Sequence, residues 1–212
     1  MGKLSLALIV ALACTGCDTR DGAEAGVEGA GGAEVAPGEA VATPQAAFMD
    51  NLRQHCGRAY SGRLTLEPAG DEMLTGTEEL IVHFRECGQD TLRLPFHLEQ
   101  EDAGTWDRSR TWMFMQTADA LEIRHDHRHE DGTPDEQTMY GAYTQDAGMA
   151  NRQEFILTER RAPDGSPLGW RVEIEPGQRY TYGTIRGGEW SWRVDFDLTT
   201  TVPAPPAPWG HP

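Results

Sequence analysis

From Arg58 to Leu198, apolar side chains recur at every second position in short runs, and turn-forming residues separate the runs. Candidate strands are Arg58–Leu66, Glu78–Cys87, Thr91–Glu99, Arg110–Thr117, Ala120–Glu130, Glu136–Thr144, Asn151–Thr158, Gly169–Glu175, Arg179–Ile185 and Glu189–Leu198. Gly88-Gln89-Asp90, Asp131-Gly132, Pro163-Asp164-Gly165, Pro176-Gly177 and Gly187-Gly188 are the turn signals between them. Leu92, Leu94, Phe96 and Leu98 share one face, and Arg93, His97 and Glu99 share the other. Trp190, Trp192, Val194, Phe196 and Leu198 likewise oppose Ser191, Arg193, Asp195 and Asp197. A strand with one dry and one wet face belongs to an antiparallel sheet covered on one side only.

About ten such strands joined by short connections would leave long open edges unless the sheet closes on itself. The pattern therefore predicts an all-β, antiparallel up-and-down β-barrel of lipocalin or fatty-acid-binding type over residues 43–199. A two-sheet β-sandwich is the alternative. One helix is expected, over about 44–56, capping one end. Thr43 stands at the cap and Pro44 at the first helical position. Phe48, Leu52 and Cys56 follow at four-residue spacing, and Gly57 stops the helix.

The first seventeen residues read as an address. Lys3 precedes the apolar run Leu4–Ala13, which is too short to cross a bilayer as a helix. Ala13-Cys14-Thr15-Gly16-Cys17 then resembles the cleavage and lipidation site of a bacterial lipoprotein, with Cys17 as the expected lipidated residue and Cys14 as the alternative. Asp18 after Cys17 resembles an inner-membrane retention signal; Thr15 after Cys14 carries none, so the choice of membrane stays open. The expected location is the envelope of a Gram-negative bacterium, lipid-anchored and facing the periplasm. Residues 18–42 are rich in Ala, Gly and Glu without an aromatic side chain, and read as a disordered tether. Residues 200–212 are Pro-rich and read as a disordered tail. In an oxidising compartment, Cys56 and Cys87 read as one disulfide; two buried thiols are the alternative.

Charge and composition exclude several functions. With 34 acidic and 18 basic residues the chain carries a net charge of -16 and repels a phosphate backbone, so no nucleic-acid role is expected. Lys3 is the only lysine, so a chain cleaved after the signal has no amine for Schiff-base chemistry or a P-loop. No G-x-S-x-G, H-E-x-x-H or G-x-G-x-x-G motif is present.

Leu121–Gly132 is the most unusual segment. Leu121, Ile123, His125, His127 and His129 share one parity, and the apolar pair assigns that parity to the lumen. Alternate residues of a strand lie about 6.5–7 Å apart, so two of these imidazoles can share an ion such as zinc or copper. A third ligand must come from a neighbouring strand. Glu154 is the most natural candidate, with Tyr140, His83 and His97 the others. A solvated strand end, with Asp126, Arg128 and Glu130 in cross-strand ion pairs, is the competing reading. Arg108 and Arg110 beside Trp112, and Arg152 beside Glu154, offer guanidinium forks for an anionic ligand or for the chain's own acids.

His55–Gly62, Arg108–Trp112, His125–Gly132, Thr138–Gly141 and Arg152–Phe155 resemble a group of small secreted or lipid-anchored Gram-negative proteins. His125–Gly132 carries most of the resemblance, which spans roughly residues 50–198 and departs at Ala142, where a second glycine is expected. It implies an exported address and supplies no reaction. The leading expectation is a lipid-anchored envelope lipoprotein whose barrel binds a small ligand non-catalytically. His125, His127, His129, Tyr140, Arg152, Glu154, Arg110 and Trp112 are its expected contacts. The alternatives are a structural or interaction lipoprotein with a filled barrel, and a metal-dependent hydrolase using His125 and His127.

Overall fold

The computed structural model describes residues 42–67, 74–100 and 104–211. The signal segment, Cys14, Cys17 and nearly all of the tether lie outside the described residues. One helix, α1 (Pro44–Arg53), precedes eleven strands: β1 (Ala59–Leu66), β2 (Leu80–His83), β3 (Glu86–Cys87), β4 (Thr91–Glu99), β5 (Trp106–Gln116), β6 (Leu121–His127), β7 (Tyr140–Thr144), β8 (Arg152–Arg161), β9 (Pro167–Glu175), β10 (Arg179–Arg186) and β11 (Glu189–Asp197). They form one antiparallel sheet in the order β2-β1-β11-β10-β9-β8-β7-β6-β5-β4-β3. Pairing of Leu80 with Leu98 and of Val82 with Phe96 joins β2 to β4 and closes ten strands into a barrel, leaving β3 as an extra strand. The barrel is the expected one, and the sandwich is not formed. The run expected as a single strand over Glu78–Cys87 is two strands, because Phe84 leaves the ladder and is fully buried.

The helix ends at Arg53 rather than at Cys56. The amides of His55 and Cys56 bond to the carbonyls of Leu52 and Arg53, which tightens the last turn, and Gly57 (φ 77°) closes it. Thr43 caps the start, its hydroxyl accepting from the Ala46 amide at 3.1 Å, a contact of the kind that contributes about 1 kcal/mol. Phe48, Met49 and Leu52 are buried against the barrel, with Phe48 edge-on to Phe114. The Cys56–Cys87 disulfide and a hydrogen bond from Arg53 to the Gly88 carbonyl fasten the helix to the loop after β3. No helix among the described residues is long and apolar enough to cross a membrane.

Under the helix the lumen is solid. Leu92, Phe114, Leu121, Ile123, Phe155, Val172 and Val194 are fully buried there. At this plugged end His55 donates through Nδ1 to the Tyr60 hydroxyl (2.8 Å) and accepts the Gly177 amide at Nε2 (3.3 Å), so a buried imidazole is satisfied on both sides.

Near the other end β11 is irregular. Thr184 pairs with Trp192, but the next residue, Ile185, pairs with Trp190, so Ser191 is the extra residue of a bulge. Trp190 consequently lies on the outer wall, between the guanidinium groups of Arg171 (5.0 Å) and Arg193 (5.6 Å). The expected shared face of Trp190 and Trp192 is therefore corrected: only Trp192 and the residues after it keep the inward parity.

The Pro-rich segment expected as a disordered tail is fastened to the barrel through His211. The Val202 amide bonds to the Ala59 carbonyl (2.9 Å), and the Trp209 amide to the Arg108 carbonyl (3.1 Å). Arg108 donates to the Ala207 carbonyl (2.8 Å), Arg85 donates to the His211 carbonyl, and His211 Nε2 meets Asp126 Oδ2 at 2.7 Å. Proline restricts the free chain, so ordering this strap costs less backbone entropy than ordering an ordinary tail. Arg85 and Arg108, which hold the strap, are also the guanidinium groups within electrostatic range of His97 on the outer wall. The His97 side chain faces outward as its parity requires, yet it has no solvent exposure, and neither ring nitrogen has a partner among the described residues.

Candidate functional site

The open end of the barrel holds a cavity of about 370 Å3, on the side away from α1. β6 shows how it is built. Leu121 and Ile123 fill the plugged end, His125 follows at the cavity floor, and His127 stands at the rim. The register sets Trp112 opposite His125 and Arg110 opposite His127 on β5, and Tyr140 opposite His125 on β7. Five expected contacts, Arg110, Trp112, His125, His127 and Tyr140, thus line a single cavity.

Three expected contacts are elsewhere. His129 lies beyond β6 in an exposed turn, its amide bonded to the Thr133 carbonyl. Glu154 is on the outer wall, because its neighbour Phe155 is fully buried in the core and adjacent residues of a strand face opposite ways. It accepts from Arg171 Nε at 3.0 Å. Arg152 lies on the same outer side, 3.9 Å from Glu154. The expected metal set His125, His127 and Glu154 is therefore divided between the two sides of the wall. Among the described residues no three His, Cys, Asp or Glu side chains gather where they could hold an ion.

Phe96, Trp170, Tyr182, Thr184, Ser191 and Trp192 also line the cavity and were not anticipated. Their signal is the parity of their own strands: Trp170 shares the face of Val172 and Ile174, and Tyr182 that of Tyr180. Trp112 is stacked on both Phe96 (4.7 Å, 15°) and Tyr182 (4.0 Å, 26°), which makes a rigid aromatic floor. His125 stacks on Tyr140 (4.7 Å, 11°) and meets Trp170 at 4.8 Å.

The hydrogen bonds fix the state of His125. Nδ1 faces the Tyr140 carbonyl at 3.1 Å, and a carbonyl can only accept, so Nδ1 carries the proton. Nε2 is then an acceptor and takes the Tyr182 hydroxyl at 2.5 Å. Burial disfavours the charged ring and pushes its pKa down to about 3. Burial first, and then the neighbouring Tyr140 and Tyr180 hydroxyls, raise the Tyr182 hydroxyl well above its ordinary value. Both groups therefore stay neutral near pH 7. His127 is also held below its ordinary value, by burial first and then by the Arg110 guanidinium. Its Nε2 lies 3.3 Å from the Tyr140 hydroxyl.

Arg110 commits Nη1 to Asp107 and to Ser109, and its other donors have no partner among the described residues. Asp107, the partner of this guanidinium, is not among the residues that line the cavity. At the far rim the Thr184 and Ser191 hydroxyls bond to each other at 2.8 Å. A larger depression, about 490 Å3, lies outside the barrel, where Arg63 and Arg179 alternate with Asp195 and Asp197. Asp195 is already paired with Arg193, and Arg179 with Glu175.

No family model matches the chain, and neither a curated protein nor a solved structure matches it.

Proposed function

We propose that this protein is an exported, lipid-anchored barrel that takes up a small ligand at its mouth without transforming it. The observation that carries this reading is the open cavity of about 370 Å3, floored by stacked rings and edged by a few polar groups. Ligand sites commonly combine such apolar walls with a small number of fixed polar contacts. The non-catalytic half of the reading rests on His125. Its ring is neutral, its Nδ1 proton is committed to the Tyr140 carbonyl and its Nε2 lone pair to the Tyr182 hydroxyl, so neither nitrogen is free for proton transfer. The envelope address rests on the sequence alone, on Leu4–Ala13 followed by Cys14 and Cys17.

Native mass spectrometry of protein purified without denaturation tests the uptake. The expected spectrum shows a mass above that of the chain, reduced to the chain mass in a Trp170→Ala variant that still folds. A bare chain mass, together with an unchanged melting temperature across a panel of small aromatic and aliphatic compounds, would defeat the reading.

A further inference from the structure

The wall of the cavity departs from the charge balance of the chain. The protein carries 34 carboxylates against 18 basic residues. Among the described residues no carboxylate lines the cavity, and one guanidinium, that of Arg110, does. We infer that the ligand is a flat aromatic acid, its carboxylate held by Arg110 and its ring set among Tyr140, Trp170 and Trp192. The inference rests on the cavity being a ligand site and names the class of ligand.

Three features select that class. The walls are aromatic rings, and planar arenes gain from offset stacking and edge contacts with them. Free donors stand on the lining: the uncommitted N–H groups of Arg110 and one hydroxyl hydrogen of the Thr184–Ser191 pair, whereas the Tyr140 hydroxyl and His127 Nε2 face each other. A guanidinium fork matches a carboxylate in geometry and charge. A sugar fits less well, because vicinal hydroxyls call for carboxylate or carboxamide acceptors, and the lining has neither. An organic cation meets no anion in the cavity. Asp107 neutralises part of the Arg110 charge, and this makes it a modulator of affinity.

Calorimetric titration of the full-length protein at pH 7 with three probes of one shape tests this: 2-naphthoate, 2-naphthamide and 2-naphthylmethylammonium. The expected order places the carboxylate at least about tenfold tighter than the ammonium, with the amide between. Arg110→Gln is expected to weaken the carboxylate about tenfold and leave the amide nearly unchanged. Asp107→Asn is expected to tighten the carboxylate, and serves as an independent readout if the first variant folds poorly. Equal or tighter binding of the ammonium overturns the acid assignment and leaves the pocket standing. No heat from any of the three probes, with circular dichroism showing a folded barrel, overturns the pocket along with it.

Discussion

The Tyr182 hydroxyl donates to Nε2 of His125 at 2.5 Å, and this bond ties β10 to β6 across the lumen. Because the Tyr140 carbonyl occupies the opposite nitrogen, protonating the ring would break the Tyr182 bond and place a charge among aromatic rings.

That relationship predicts acid sensitivity. His125 and His97 titrate near 3 and near 4 in the folded protein, both lowered chiefly by burial from an ordinary value of 6.5. Between those limits the unfolded chain binds more protons than the folded one, so stability is complete above about pH 6.5 and declines as the pH falls. The expected decline is roughly 1.4 kcal/mol per pH unit for each histidine. Urea unfolding at a series of pH values measures it. His97→Leu should flatten the profile, and an unchanged slope would refute its assignment.

The Cys56–Cys87 disulfide closes a separation of 31 residues around the end of α1. Chain-entropy arguments assign such a loop about 3–4 kcal/mol. The Cys56→Ser/Cys87→Ser double variant is expected to lower the unfolding free energy by that amount, and reducing agent should do the same to the native protein. Equal denaturation midpoints with and without reductant would contradict it.

The strap predicts a stability effect from residues that look dispensable by sequence. Asp126 has only 2% exposure and holds Arg128 at 2.8 Å and His211 at 2.7 Å. Removing residues 200–212 leaves that carboxylate one partner short and frees Arg85 and Arg108 from the carbonyls they hold. His211→Ala alone is expected to cost about 1–3 kcal/mol. Faster amide exchange in β4 and β5 of the truncated protein would accompany the loss; native-like exchange would count against the strap.

Met139 has φ 56°, a conformation that costs a side-chain-bearing residue about 1–2 kcal/mol. It is held there by its amide on the His125 carbonyl (2.7 Å) and by Arg124 on its own carbonyl (3.2 Å), and the result is the placement of Tyr140 over His125. Met139→Gly should therefore stabilise the protein by up to about 1 kcal/mol. Two residues on, Gly141 behaves oppositely. A Cβ there would lie 1.8 Å from the Ile123 carbonyl oxygen, so Gly141→Ala should cost about 3 kcal/mol. Thermal melts of the two variants should move in opposite directions.

The proposed lipid anchor is open to direct labelling. A palmitate analogue should be incorporated into the wild-type chain and into Cys14→Ser, but not into Cys17→Ser. Loss in Cys14→Ser alone would move the anchor to Cys14, and no label in any chain would remove it.

Strict alternation made most of the barrel legible. Leu92, Leu94, Phe96 and Leu98 point inward as their parity requires, and β4 has the expected bounds. His125 and His127 follow the parity of Leu121 and Ile123. Glu154 offers ligand chemistry in the sequence, but the parity of β8, marked by the buried Phe155 beside it, sets it on the outer wall. The bulge at Ser191 left no trace in composition, since a register shift depends on the partner strand. The strap was illegible for another reason: its contacts with Ala59, Arg85, Arg108 and Asp126 all come from distant parts of the chain, and a Pro-rich stretch looks alike whether free or docked.

The misaligned residue in β11 has a consequence for what the vessel can contain. Had the ladder kept its rhythm past Trp192, a second indole would have swung inward at the rim and stoppered the mouth. One skipped beat sends that indole outside to rest between two arginines, so the hollow exists because a single serine falls out of step.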